Sequence, residues 1–134
     1  MSAADGAVLV LVEHEAGTLA PASVSALATG RALAAALGTT VEACALGDGA
    51  ASLAAPLGEL GVPVLHVSHD GPGPDGRPFD TPAVPGLVVA RLLITASPCV
   101  LLAAGTLRGQ ETLAYAASLA GIPFAAGCTE LRPA

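Results

Sequence analysis

Val8-Leu9-Val10-Leu11-Val12 runs straight into Glu13-His14-Glu15, and Gly17-Thr18-Leu19-Ala20-Pro21-Ala22-Ser23 follows at once. An apolar, β-branched run of this kind reads as a strand buried on both faces, as in a parallel sheet. It stops abruptly at charge, passes a glycine turn and enters an alanine-rich helix behind a proline. In an open α/β sheet, the crevice at the carboxyl end of such a strand is where ligands or partner segments sit. Glu13 and His14 are therefore the first candidate site residues.

Strand and helix alternate outward from this point. Ala7 to Val12 is the expected first strand. Ser23 can cap a helix to about Leu37, with Leu27, Arg31, Ala34 and Leu37 on successive turns and Gly38 at its end. Thr40 to Leu46 reads as the second strand, Ala50 to Leu60 as a short helix with Pro56 inside it, and Val62 to Val67 as the third strand. Ser68 to Pro85 is rich in glycine and proline; a loop of that length is functional or mobile, and without apolar anchors beyond Phe79 it reads as mobile. Helix resumes from Val84 to Thr95. A fourth strand follows at Cys99 to Ala104, a last helix at Gln110 to Ala120 and a fifth strand at Ile122 to Cys128. The spacing fits βαβ units, whose right-handed crossovers put helices on both faces of a parallel sheet. The expectation is a three-layer, doubly wound α/β fold in one domain spanning residues 1–134, with a five-stranded parallel sheet in the order 3-2-1-4-5. That order sets Glu13 and His14 on the same rim as the turn from Gly105 to Gly109.

Apolar residues make up 53% of the chain but aromatic ones only 2%, so alanine, leucine and valine must build the core. Lysine is absent, and the basic residues are Arg31, Arg77, Arg91, Arg108 and Arg132, which reads as compositional bias of the source genome. A net charge of −6 with no basic cluster argues against nucleic-acid binding. Cys44, Cys99 and Cys128 form no metal-ligand or CxxC pattern; each falls in or next to an expected buried strand, where cysteine behaves as a small apolar residue. A reducing, cytoplasmic setting follows as the default. The N-terminus lacks the pattern of a signal peptide, and no run reaches about 18 apolar residues, so no membrane insertion is expected. A small domain this apolar has a thick core or hides a face against another subunit.

The candidate chemistry is sparse. Glu13, His14 and Glu15 could support proton transfer, yet no nucleophile or second carboxylate lies near, and the simpler reading is a strand that has surfaced into water. The turn Gly105-Thr106-Leu107-Arg108-Gly109-Gln110 follows a buried strand and opens a helix, so its backbone N–H groups and Arg108 could hold an anion. It matches neither GxxxxGK[ST] nor GxGxxG, which leaves Glu13, His14, Gly105, Thr106, Arg108, Gly109 and Gln110 as weak cofactor-binding candidates. His66 and His69 leave the third strand without a shared metal geometry and read as solvated loop histidines. No catalytic residue and no metal ligand is assigned.

Three stretches together resemble the amino-terminal domain of the electron transfer flavoprotein alpha subunit. They are Val8 to Ser23; Thr40-Val41-Glu42-Ala43-Cys44-Ala45-Leu46-Gly47; and Val100 to Ala114, followed by Ala117-Ser118-Leu119-Ala120 and Thr129-Glu130-Leu131. The likeness covers nearly the whole chain in order and spacing. It departs where the family has Gly-Arg and this chain has Gly109-Gln110, with the arginine moved to Arg108. It also lacks any counterpart of the family's second, FAD-binding domain.

The resemblance implies an adenine-nucleotide hydrolase-like sheet and a scaffold role. Such a chain would pair with a beta-type subunit to form a heterodimer, with FAD held outside it, on the partner or a separate FAD-binding domain. It would be an electron-transfer component, not a catalyst. A nucleotide-binding module of the universal-stress type is the alternative, with the Gly105–Gly109 turn holding phosphates. A small enzyme built around His14 is a third.

Overall fold

The structure is a computed structural model that describes residues 5–68 and 83–133. The elements run β1 (Val8–Leu11), β2 (His14–Glu15), β3 (Thr18–Leu19), α1 (Pro21–Leu37), β4 (Val41–Leu46), a 3-10 turn (Ala50–Leu53), α2 (Ala54–Glu59), β5 (Leu65–Ser68), α3 (Ala83–Ala96), β6 (Val100–Ala103) and α4 (Leu107–Ala120). Four of them form a parallel sheet in the order β5-β4-β1-β6. The short β2 and β3 pair antiparallel as a separate ribbon. Most of the expected Ser68–Pro85 loop, His69 included, lies outside the described residues.

Strand alternation divides the core into two layers. Val8, Val10 and Val12 of the first strand region join Val41, Ala43 and Ala45 beneath α1 and α2, where Leu27, Leu33, Leu53 and Leu57 complete one cluster. Leu9, Leu11 and Cys44 face the other way, onto Val89 and Ala90 of α3 and Ala116 of α4. All four β1 residues are buried, as a strand covered on both faces must be. Helix α1 lies directly over the middle of the sheet, and Gly30 makes this approach possible: a Cβ there would stand 2.7 Å from Val10 Cγ2. The buried stripe of α1 therefore runs through Leu27, Gly30, Leu33 and Ala34. Arg31, expected on that stripe, is exposed.

The three-layer α/β reading and the order of the first four strands hold. The fifth strand does not form. Residues 121–133 are exposed and carry no strand pairing. Pro123 has no N–H to give a ladder, and Gly127 adopts φ +69, outside extended geometry. The sheet has four strands, with β6 at its edge. Ser23 is not the helix cap either: α1 starts at Pro21, behind Ala20 with no side-chain cap, because Pro21 supplies the fixed φ of a first helical position. The expected helix from Ala50 to Leu60 begins as a 3-10 turn, and α2 starts only at Ala54, so that Pro56 falls within its first turn. The last helix begins earlier than expected, at Leu107, because Thr106 caps it.

The cysteines divide as well. Cys44 is buried, and removal from water pushes its thiol up to about 12. Cys99 and Cys128 are exposed, against the expectation of buried strand positions, because β6 begins only at Val100 and the Cys128 segment pairs with nothing. Among the described residues, no helix is long and apolar enough to cross a membrane.

Candidate functional site

At the carboxyl end of β1 the ladder gives way to side-chain bonding. The Val12 N–H still reaches Cys44 O, at 2.9 Å. The next amide, Glu13 N–H, donates instead to Ser23 Oγ at 2.7 Å. That is the real role of Ser23: a buried hydroxyl on α1 that satisfies the last orphan donor of the strand.

Because β1 and β6 are neighbours, the Glu13 carboxylate meets the start of α4. Thr106 Oγ1 donates to Glu13 Oε2 at 2.8 Å and accepts from Gly109 N–H at 3.0 Å. Thr106 is thus both the α4 cap and the partner of Glu13. Gln110 closes the turn from its other side, its Nε2 donating to Gly105 O at 3.0 Å. The turn expected to share a rim with Glu13 does so. One of its backbone donors, Gly109 N–H, is taken by the cap, and the Glu13 carboxylate just beyond β1 brings negative charge to the positive end of the helix. Arg108 is exposed.

His14 is held at both nitrogens. Nδ1 accepts from Gly17 N–H at 3.1 Å, and Nε2 lies 2.8 Å from Leu46 O. A carbonyl oxygen only accepts, so Nε2 must carry the proton and Nδ1 the lone pair. With neither nitrogen free, the imidazole works as a brace between the β2–β3 ribbon and the end of β4, not as a proton-transfer group. The reading of Glu13 and His14 as a strand end that merely meets water is corrected accordingly.

His66 also departs from expectation. It sits in β5 and not in a solvated loop, and its Nε2 meets Glu42 Oε1 on the adjacent strand at 2.8 Å. Both side chains are largely shielded, 29% and 23% exposed. Among the described residues, no group of three or more His, Cys, Asp or Glu side chains could hold a metal.

The opposite end of β6 is apolar. A groove of about 410 Å³ lies between the ends of α3 and α4, lined among others by Leu93, Pro98, Val100, Leu113, Ala117 and Phe124. Ile122 and Phe124 of its lining are themselves exposed, and so are Ile94 on α3, at 79%, and Leu119 on α4. Sequence reading anticipated surplus apolar surface without locating it. It missed Ser23 and Leu46 O as partners, since a hydroxyl on a helix and a main-chain oxygen 32 residues away leave no motif.

The fold and this rim define a class: a three-layer parallel α/β domain whose switch point is bridged by its own Glu13 and Thr106 side chains. The electron transfer flavoprotein domain family matches residues 8–133, nearly all of the chain, and the chain belongs to that family. No curated protein matches it. A flavin dinucleotide needs donors for its pyrophosphate, and the α4 start does not fit one: its Thr106-capped N–H is used and Glu13 brings negative charge there.

Proposed function

We propose that the chain is an alpha-type domain of an electron transfer flavoprotein that serves as a scaffold, pairing with a beta-type subunit to position a flavin. The flavin carries electrons from dehydrogenases to an acceptor. FAD is held outside these residues, on the partner or on a separate FAD-binding domain, and the chain is an electron-transfer component and not a catalyst. Its setting is the cytoplasm.

What supports this reading is family membership taken with the rim, where the Glu13 carboxylate bonded to Thr106 brings negative charge to the α4 start, the place where the fold would offer an anion site. The exposed apolar surface beside the groove supports a subunit contact, since a patch of that kind is removed from water when an interface forms. The same geometry disfavours nucleotide binding of the universal-stress type, because the Glu13 carboxylate beside the α4 start would repel a phosphate.

Co-expression with a beta-type subunit, followed by sedimentation velocity, tests the proposal. The expected result is a heterodimer that retains FAD, together with a lone chain that retains none. A lone chain that stays monomeric beside the partner, or that shows a thermal shift of several degrees with AMP or ATP, overturns it.

A further inference from the structure

An open sheet ends in two edge strands, and each leaves half of its main-chain groups without a strand partner. Here the edges are β5 and β6, and they differ. β5 is marked by polarity: His66 meets Glu42 of the adjacent strand at 2.8 Å. β6 is Val100-Leu101-Leu102-Ala103, four apolar residues with no charge to deter a second strand. The Cys99 N–H donates to Ala7 O at 2.9 Å. By strand alternation the Leu101 and Ala103 amides also face β1, and the N–H and C=O groups of Val100 and Leu102 point outward. Among the described residues none of these outward groups meets a main-chain partner.

The surroundings of this edge are equally free of charge. The chain carries −6, yet residues 92–107 and 112–129 contain no Asp, Glu, Lys, Arg or His. Two copies repel wherever their acidic surfaces meet, and at this edge no like charges meet. No charge has to leave water there either. Beside the amino half of the strand lies the groove of about 410 Å³, which Val100 and Leu101 share with Leu113, Ala117 and Phe124.

We propose that β6 pairs antiparallel with β6 of a second copy across a twofold axis, Leu101 opposite its own counterpart. In that register Val100 of each copy exchanges both main-chain bonds with Leu102 of the other, so every outward group of the strand is used. Centring on Leu102 instead would call on Ala104, outside the strand. The strand end that enters the other copy's groove is then Ala103-Ala104-Gly105, small enough to pass beside Phe124. Four residues of strand and one groove cover less than the about 800 Å² per partner of a standard interface, so the dimer is weak, with a dissociation constant of about 10–100 µM. It does not use Ile94 or Leu119, the exposed residues of α3 and α4, and stands independently of the alpha-type reading.

Sedimentation velocity of the intact chain from about 5 µM to about 500 µM tests the edge. Monomer should give way to dimer within that range. Added salt should strengthen the dimer, because it screens the repulsion between copies and finds no ion pair to weaken. Phe124→Glu, a change at an exposed residue outside helix and strand, should weaken it about tenfold or more. With Cys99→Ser and Cys128→Ser in place, glutathione disulfide should bridge Leu101→Cys into a covalent dimer, since the twofold brings the paired α-carbons to about 4.5 Å. Leu102→Cys, set diagonally, should not be bridged. A chain that stays monomeric throughout, a dimer indifferent to Phe124→Glu, or bridging at position 102 in preference to 101 overturns the proposal. Sedimentation of the unaltered chain decides even if a cysteine variant fails to fold.

Discussion

At the carboxyl end of β1, three polar residues of the rim find partners inside the chain: Glu13 on Ser23 and Thr106, His14 on Gly17 and Leu46, Gln110 on Gly105. At the amino end of β6, by contrast, Ile122 and Phe124 stand against water in an open apolar groove, and Ile94 and Leu119 are exposed on the helices α3 and α4. Doubly wound domains commonly show the reverse, with an unfilled crevice at the carboxyl ends of the strands awaiting a ligand. Here the ligand end is bridged by the chain's own Glu13 and Thr106, and the apolar surface lies at the other end.

The contrast can be broken from the core outward. Leu53→Ala empties a fully buried position beneath the sheet and should cost about 2–5 kcal/mol in denaturant unfolding. Gly30→Ala drives a methyl against Val10 and should cost about 1–3 kcal/mol, with α1 pushed off the sheet. Thr106→Ala removes the α4 cap and leaves the Glu13 carboxylate without its donor; about 1–2 kcal/mol should be lost, and Thr106→Ser should restore most of it. Ile94→Ser, on the apolar surface, should change unfolding free energy by no more than about 0.5 kcal/mol while weakening assembly with a beta-type subunit. If Ile94→Ser destabilised the lone chain as much as Leu53→Ala does, the surface would be core and the contrast would vanish.

Cys44 sharpens the same comparison by pH. Its folded thiol is raised from an ordinary 9.0 to about 12 by burial, so the folded state keeps a proton that the unfolded chain gives up first. The stability this contributes is whole below pH 9.0 and is lost as pH rises toward about 12. A thiol reagent near neutral pH should label Cys99 and Cys128 promptly and Cys44 only on unfolding.

Most of the architecture was legible because periodicity reports burial. Val8 to Val12 could only be a two-sided strand, and the helices between the strands followed from their spacing and from glycines such as Gly38, which adopts φ +71. The expected adjacency of the first and fourth strands sets Glu13 and His14 on the same rim as the Gly105–Gly109 turn, and the Glu13–Thr106 bond lies there. What failed was local chemistry overriding pattern. Ile122 to Cys128 looks like a strand by hydrophobicity, but Pro123 and Gly127 deny it a ladder. Ser23 looks like a cap by residue type, but Pro21 starts the helix and the hydroxyl is used by Glu13 N–H. His14 was visible as a candidate, yet its role depends on two main-chain atoms, and backbone partners have no sequence signature.

Titration calorimetry of the lone chain with FAD, and separately with ATP, bears most directly on the closed crevice. The expected result is no binding heat with either nucleotide. Stoichiometric binding of either one at micromolar concentration, lost in Thr106→Ala or Gly109→Ala, would contradict it.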